Sequence, residues 1–523
     1  MQHEEAKSVS GWITPVFSLP SGLLVCGLLY AWTLTYPLNI DSSVHAYMAA
    51  LIVKGYWPYV SVWENNFPGT IFFVHLPEYL LLGKSAFAFH AWDVLWRLAG
   101  TYLLFKIVRH IASSVKPAPW LAAVLVAIYY LSVDNLMVAQ RDCYATIVLL
   151  ATVYILNQDD KDQGIQRYLW SGLLYGIAIL IRPTNELYAL FLAIWIVVVV
   201  RSRKGVINGM MFLIAAQIFL VLFGLIALLA GHFTEIYTII IRFNTEVYSK
   251  FIPIGEMFYP FGKYWWVLFA VPFGLYALRS RDRLLFGGLV VISFLTLIPQ
   301  KRYVYQYDTT FVLLLILAAV GWVHIFIRLS YKSSSVLRYL GPLALVVFVL
   351  FFWTRGTTQK HLAIRAIKGQ LPSGPIYWQY DTSDSSGFAV LDSVSDYLKR
   401  YAGQNSRVQF VGEYAYPLYY ADLLPATRFI TFHSIMLRNS RGQLTEFQQQ
   451  WRRELIDTLT AAPPVYIVVA DAPEYARGHL NGLLGHQILE RDLTSLRDLI
   501  RSRYHRETSI GAFTFYRRNE KPL

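Results

Sequence analysis

Charge is what this chain has least of. Only 15% of its 523 residues are Asp, Glu, Lys or Arg, 55% are hydrophobic, and the mean hydropathy is +0.41. A soluble globular protein carries roughly 25% charged residues, so an ordinary water-soluble core is excluded. Cysteine is nearly missing as well. Cys26 and Cys143 both lie in or beside apolar runs, which excludes a disulfide framework and a cysteine metal site. There is no internal repeat and no low-complexity tract. The tail after Gly356 lacks a glycine-rich phosphate loop and an HExxH helix, so it identifies no chemistry by itself.

Long apolar runs stand in place of charge. Several windows of 17 to 25 residues lack charge almost entirely, the length that crosses about 30 Å of hydrocarbon. Helical spans are expected at 18–38, 88–112, 118–134, 143–157, 168–181, 184–200, 206–231, 264–279, 284–299, 309–327 and 337–354. The first run is too long for a signal-peptide core and has no small-residue cleavage site, so it reads as a retained span. The apolar stretch Thr70 to Gly83 contains His75, Pro77 and Glu78. It is short for a crossing and suits an interfacial or re-entrant piece.

The net charge is +13 and the isoelectric point about 9.4. Lys and Arg cluster between apolar runs, where membrane orientation needs them, so the basicity does not indicate nucleic acid. If 70–83 does not cross, the basic segments FKIVRH, KDQGIQR, RSRK, RSRDR and RLSYKSSSVLR all share the side of the N-terminus. That side is then cytoplasmic. The expectation is an α-helical polytopic membrane protein of about eleven spans, possibly twelve, with its N-terminus cytoplasmic. Residues 1–355 would form the membrane module, with interfacial helices in the 39–87 and 232–263 loops. Residues 356–523 would form a small extracytoplasmic α/β domain, because helical periodicity at VLDSVSDYLKRYAG and QLTEFQQQWRRELIDTLTAAP alternates with strand-like RVQFVGEY, PVYIVVAD and GAFTFYRR.

The polar residues of interest fall on the outer face. Asp41 emerges from the first span, and His45 at i+4 shares its helical face. KGYWPYVSVWENNFPG follows, with Trp57, Tyr59, Trp63 and Glu64; its aromatics also suit simple anchoring at the headgroups. Asp142 opens a span beside Arg141, where a carboxylate also suits the helix N-terminus. Arg182, in AILIRPTNELY, is expensive between apolar runs unless it meets an anion, either a lipid phosphate or Glu186. QKRYVYQYD carries Lys301 and Arg302 among Tyr303, Tyr305 and Tyr307. Such cations hold phosphate oxygens, and they also snorkel from aromatic belts. Arg242 is the notable cation of the amphipathic 232–263 loop.

In order and sidedness these motifs resemble the GT-C membrane glycosyltransferases of the dolichyl-phosphate-mannose protein mannosyltransferase type, including the bacterial lipid A aminoarabinose transferases. The resemblance runs from residue 30 to about 330. It rests on Asp41, KGYWPYVSVWENNFPG, WDVLWRLAGTYLLFKIVRHI with Arg97, Asp142, GLLYGIAILIRPTNELY and RYVYQYDTTFVLLLILAAVG. Many relatives have Asp-Glu at the first exit, where this chain has Asp41 followed by Ser42. The resemblance implies inverting transfer of a sugar from a polyprenyl monophosphate to an acceptor on a lipid, glycan or protein. Asp41 would be the general base, with Asp142, Glu64 and His45 on the acceptor side. Arg182, Lys301, Arg302 and Arg242 would hold the donor phosphate, and Trp57, Tyr59, Trp63, Tyr303 and Tyr305 would face sugar or lipid. The chemistry requires no cofactor, although a divalent metal is compatible with it. The resemblance also implies placement in the bacterial cytoplasmic membrane, with membrane lipids as natural partners and nucleic acid not. The alternatives are a transporter or flippase of lipid-linked sugars, disfavoured by the lack of a repeat, and an O-antigen ligase or polymerase using a diphosphate-linked donor.

Overall fold

The computed structural model describes residues 16–133, 135–158, 164–201, 203–248, 254–300, 305–330, 337–353, 365, 386–472 and 482–519. Helices α1 (Leu19–Ala31), α2 (Ile40–Val53), α3 (Leu76–Leu82), α4 (Ala86–Ile111), α5 (Ala118–Ser132), α6 (Arg141–Leu156) and α7 (Gln166–Ile181) come first. They are followed by α8 (Glu186–Val200), α9 (Arg203–Leu229), α10 (Phe233–Tyr237), α11 (Trp265–Ala277), α12 (Ser280–Gln300), α13 (Asp308–Ser330) and α14 (Leu337–Trp353). A helix stands at each place where a span was expected. Among the described residues, four are long and apolar enough to cross a membrane unaided: Pro183–Val200, Arg203–Leu229, Ser280–Pro299 and Asp308–Ser330. The first helical run and α2 together make a fifth only if counted as one bent span. The other helices are shorter or carry charge, so length and composition alone do not establish eleven crossings.

Proline and side-chain caps decide the path after α1. A 3₁₀ turn, Trp32–Thr35, ends at Tyr36, whose backbone is extended ahead of Pro37, as a residue before proline prefers. Asn39 then caps α2 by accepting from the Ser42 amide at 2.9 Å, satisfying a free first-turn donor. The axis turns by 83° across this break, so α2 lies across the bundle rather than along it. The 70–83 segment is a five-residue π turn, Ile71–His75, followed by the seven residues of α3. At 1.5 Å per residue it spans about 18 Å, too little to cross.

Close helix packing comes from small residues. A Cβ on Gly172 or Gly176 of α7 would strike the α9 carbonyls of Phe212 or Ala216, and Gly274 of α11 and Gly321 of α13 meet in the same way. Such contacts let backbones approach where lipid offers no hydrophobic drive between helices. Inside the bundle, Arg97 lies 3.7 Å from Asp93 and 4.0 Å from Asp308, with its guanidinium 3.7 Å from the Tyr130 ring centroid. The Tyr130 hydroxyl donates to Asp93 at 2.5 Å and accepts from the Ala139 amide at 2.8 Å. This buried array fastens the turn before α6.

Beyond residue 386 the chain forms α15 (Phe388–Tyr401), β1 (Arg407–Val411), α16 (Ala415–Tyr420), β2 (Leu424–Pro425), α17 (His433–Met436) and α18 (Glu446–Ala461). Next come β3 (Tyr466–Ala470), α19 (Gly485–Arg491), α20 (Thr494–Arg503), β4 (Tyr504–Ile510) and β5 (Phe513–Arg518). The sheet order is β2-β1-β3-β5-β4, with β1 parallel to both neighbours and β5 antiparallel to β3 and β4. The three strands and two helices expected in the tail are present; β2 and β4 were not anticipated.

This region packs on the membrane module through Trp63. The Trp63 ring lies edge-on to Phe243, Trp451 and His433 at 4.9, 5.9 and 5.0 Å. Its amide donates to the Arg428 carbonyl at 2.8 Å. Arg428 bridges Glu235 and Glu454. The Tyr47 hydroxyl donates to the Leu423 carbonyl at 2.8 Å, and Asp422 takes Lys54 and Lys84 at 3.0 and 3.4 Å.

Candidate active site

Asp41 occupies the first turn of α2, where the unsatisfied amides favour a negative charge. Gln140 donates to its Oδ2 at 3.1 Å, and Asn39 donates to the Asn135 carbonyl at 2.8 Å, so the segment before α6 holds both the cap and the carboxylate. Asp41 faces a small cavity of about 50 Å³, lined also by His45, Glu64, Asn65, Tyr248, Glu413, Thr431 and His433. Glu64 accepts from the Asn66 amide at 2.9 Å, and burial pushes its carboxyl above the ordinary range. His45 stacks on His75 at 5.1 Å. Burial, then the neighbouring His75, hold it neutral, down to about 3.

A second cavity, of about 480 Å³, adjoins the first at Asn65 and Tyr248. Arg141, Arg182, Asn244 and Gln306 supply its polar lining. Asn65 and Asn244 are tied side chain to side chain at 2.9 Å. Gly69 explains how this floor is built: a Cβ there would collide with the backbone of Leu180 and Ile181, next to Arg182. The NFPG turn thus lies flat on the end of α7. An apolar groove of about 200 Å³, lined by Leu220, Phe223, Ala227 and Phe233 among others, continues from the second cavity through Phe67, Ile240 and Ile241.

The expected residues divide between these spaces and the packing around them. Asp41, His45 and Glu64 come together in the first cavity, and Arg182 lines the second. Asp142 lines neither; it forms a buried ion pair with Arg182. Glu186, the alternative partner for Arg182, instead accepts from Gln217 at 2.8 Å. Arg242 is exposed, paired with Glu246 at 2.8 Å, and outside the lining of both cavities. Tyr59 and Trp63 are 1% exposed packing residues of the seam, and Trp57, 44% exposed, sits beside His232. None of these three lines a cavity, because the seam buries their rings against Phe223, Phe243 and Trp451 or leaves them at the surface. Lys301, Arg302, Tyr303 and the side chain of Tyr305 lie outside the described residues. Sequence reasoning missed Gln140, Asn65, Tyr248, Glu413 and His433. Of these, Glu413 left a signal, since it follows the clear strand RVQFV, and open α/β sheets bind ligands off the carboxyl ends of their strands.

The same architecture occurs in the crystal structure of ArnT from Cupriavidus metallidurans in the apo state. The match covers 97% of this chain and 98% of that one, with a TM-score of 0.57 and 12% identity. The chain has the fold of a GT-C membrane glycosyltransferase. Residues 68–227 match the dolichyl-phosphate-mannose-protein mannosyltransferase family, a stretch reaching from the NFPG turn to the end of α9. An oligosaccharyltransferase from Archaeoglobus fulgidus aligns over 96% of this chain and 74% of its own, at TM-score 0.48 and 10% identity, too weakly to add to the GT-C assignment. No curated protein matches at the level of sequence.

Proposed function

We propose that this GT-C protein is an inverting glycosyltransferase that takes a sugar from a polyprenyl monophosphate on the extracytoplasmic face, with Asp41 as general base. The observation that carries the reading is the succession of three connected spaces: one lined by carboxylates, the next by arginines, the last by apolar side chains. A lipid-phosphate-sugar donor has that same polarity along its length. Its tail fits the groove of Leu220 and Phe223, its phosphate lies with Arg182 and Arg141, and its sugar reaches the junction at Asn65 and Tyr248.

An acceptor hydroxyl beside Asp41 then gives its proton to the carboxylate as its oxygen bonds to the anomeric carbon. The bond from that carbon to the phosphate oxygen breaks, and the electron pair departs with the polyprenyl phosphate. Guanidinium groups stabilise that phosphate with charge-assisted, bidentate hydrogen bonds. Attack opposite the leaving group inverts the anomeric centre. Lys301 and Arg302 lie in the chain between Pro299 and Gln306, which both line the arginine cavity; this supports them as further phosphate ligands. If 70–83 does not cross, the basic segments of the sequence all fall on the side opposite Asp41, which supports the extracytoplasmic placement. Protein cations supply the phosphate charge balance, so no cofactor enters the scheme.

The test incubates purified protein with polyprenyl-monophosphate hexoses and a membrane-lipid extract, following release of polyprenyl phosphate and the anomeric configuration of the product. Asp41→Asn is expected to lower transfer by roughly 10²–10⁴-fold. Transfer unchanged by that substitution would remove Asp41 as base. Activity confined to diphosphate donors would favour the ligase reading.

A further inference from the structure

We propose that Glu413 and His433 form the acceptor-binding wall of the Asp41 cavity, and that this wall selects an uncharged, hydroxyl-rich glycan over a phosphorylated acceptor; the proposal rests on the glycosyltransferase reading. β1 runs parallel to β2 and β3, so all three strands end at one edge of the sheet. Glu413 leaves that edge just after β1, at Gly412, whose φ of 152° is open to glycine. A backbone bridge pairs Glu413 with Thr431, which brings His433 alongside. The His433 Nδ1 lies 3.0 Å from the Glu413 carboxylate, and the Trp63 ring holds the imidazole edge-on at 5.0 Å. Both side chains line the cavity that holds Asp41, so the sheet region and the membrane module share one reaction space.

The charge of that space argues for the acceptor class. Its lining includes three carboxylates, Asp41, Glu64 and Glu413, and two imidazoles, but no Lys or Arg, whereas the adjoining cavity carries Arg141 and Arg182. A phosphate on the acceptor would face these carboxyl groups, while the guanidinium that acts on Glu64 and His45, that of Arg141, lines the adjoining donor cavity. Hydroxyl groups donate readily to such carboxylates and accept from an imidazole N–H. The two ends of the site thus differ in sign, and only the donor end suits an anion.

The test measures calorimetric binding of neutral tri-hexosides of glucose, mannose and galactose, and of their 6-phosphates, to the full-length protein without donor. Glu413→Gln and His433→Asn are compared with wild type, and Glu413→Asp serves as the conservative control. At least one neutral glycan is expected to bind. Glu413→Gln should weaken it about tenfold while the unfolding temperature stays at the wild-type level, and Glu413→Asp should restore part of the loss. If the pair served only to dock the sheet region, the unfolding temperature would fall together with binding, and the proposal would be overturned. It is also overturned by tighter binding of a phosphorylated glycan, by no binding across the neutral set, or by binding unchanged in both variants. Should Glu413→Gln fail to fold, His433→Asn decides by the same readouts. Failure of donor consumption in wild type counts against the glycosyltransferase reading and leaves the binding comparison to decide this proposal by itself.

Discussion

Substituting Asp142 by Asn removes the charge that faces Arg182 in a place where the arginine is only 8% exposed and the acid 5%. Breaking a buried pair by deleting one partner costs roughly 3–5 kcal/mol, chiefly because the surviving charge stays desolvated. About 4 kcal/mol corresponds to a factor of roughly 10³ in the unfolding equilibrium. Replacing both partners, Asp142→Asn with Arg182→Met, removes the stranded charge and should recover most of that loss. The assay is denaturant unfolding in detergent micelles for wild type, both single variants and the double variant, closed as a thermodynamic cycle. A coupling of about 2–3 kcal/mol is expected, at the upper end for contacting pairs. A coupling below about 0.5 kcal/mol, the level of independent sites, would refute the claim that Asp142 holds Arg182 in place. The same variants separate structure from catalysis. If Asp142 aims the guanidinium at phosphate, Asp142→Asn raises the donor KM more than it lowers the rate at saturating donor.

Two further outcomes follow from buried positions. Gly69→Ala puts a methyl group into the backbone of Leu180 and Ile181, and overpacking of this kind costs about 1–3 kcal/mol; it should lower the unfolding temperature and raise the donor KM together, whereas Gly55→Ala, with open space around it, should leave donor KM unchanged. Glu78 is 1% exposed, and burial moves its carboxyl from 4.5 up to about 8. A raised carboxyl favours the folded state while protonated, so stability should fall as pH rises from about 4.5 to about 8, by at most about 5 kcal/mol at 1.36 kcal/mol per unit. Glu78→Gln should flatten that slope in pH-dependent unfolding; an identical slope in both proteins would count against a neutral, buried Glu78.

How much of this was legible beforehand depended on whether the signal was local. Helices announced by continuous apolar runs appear where expected, because hydrocarbon permits little else to a bare backbone. The cavity residues Asp41 and His45 could be read as a pair, since i+4 spacing places them on one face. The Asp142–Arg182 pair could not, because it joins the start of α6 to the end of α7, and a helix terminus already gave Asp142 a sufficient role. Asp93 and Arg97 were open to notice as an i+4 charge pair inside an apolar helix, which marks a buried function. β4 hid in YHRETSI, whose polar residues mask the alternation of an edge strand. Trp63 read equally as a membrane anchor or a sugar platform; its burial in a seam depends on Trp451, far along the chain. Glu413 belongs to a tail without a motif, and only the direction of β1 brings it to the site.

The turn at Pro37 has one more consequence. The rod that bears Asp41 is pinned near its start, where Asn39 and Asp41 grip the segment before α6, and toward its far end, where Tyr47 and Lys54 grip Leu423 and Asp422. One helix therefore ties the two halves of the molecule together, and it carries Asp41 at the end fixed to the bundle, beside the Asn39 cap.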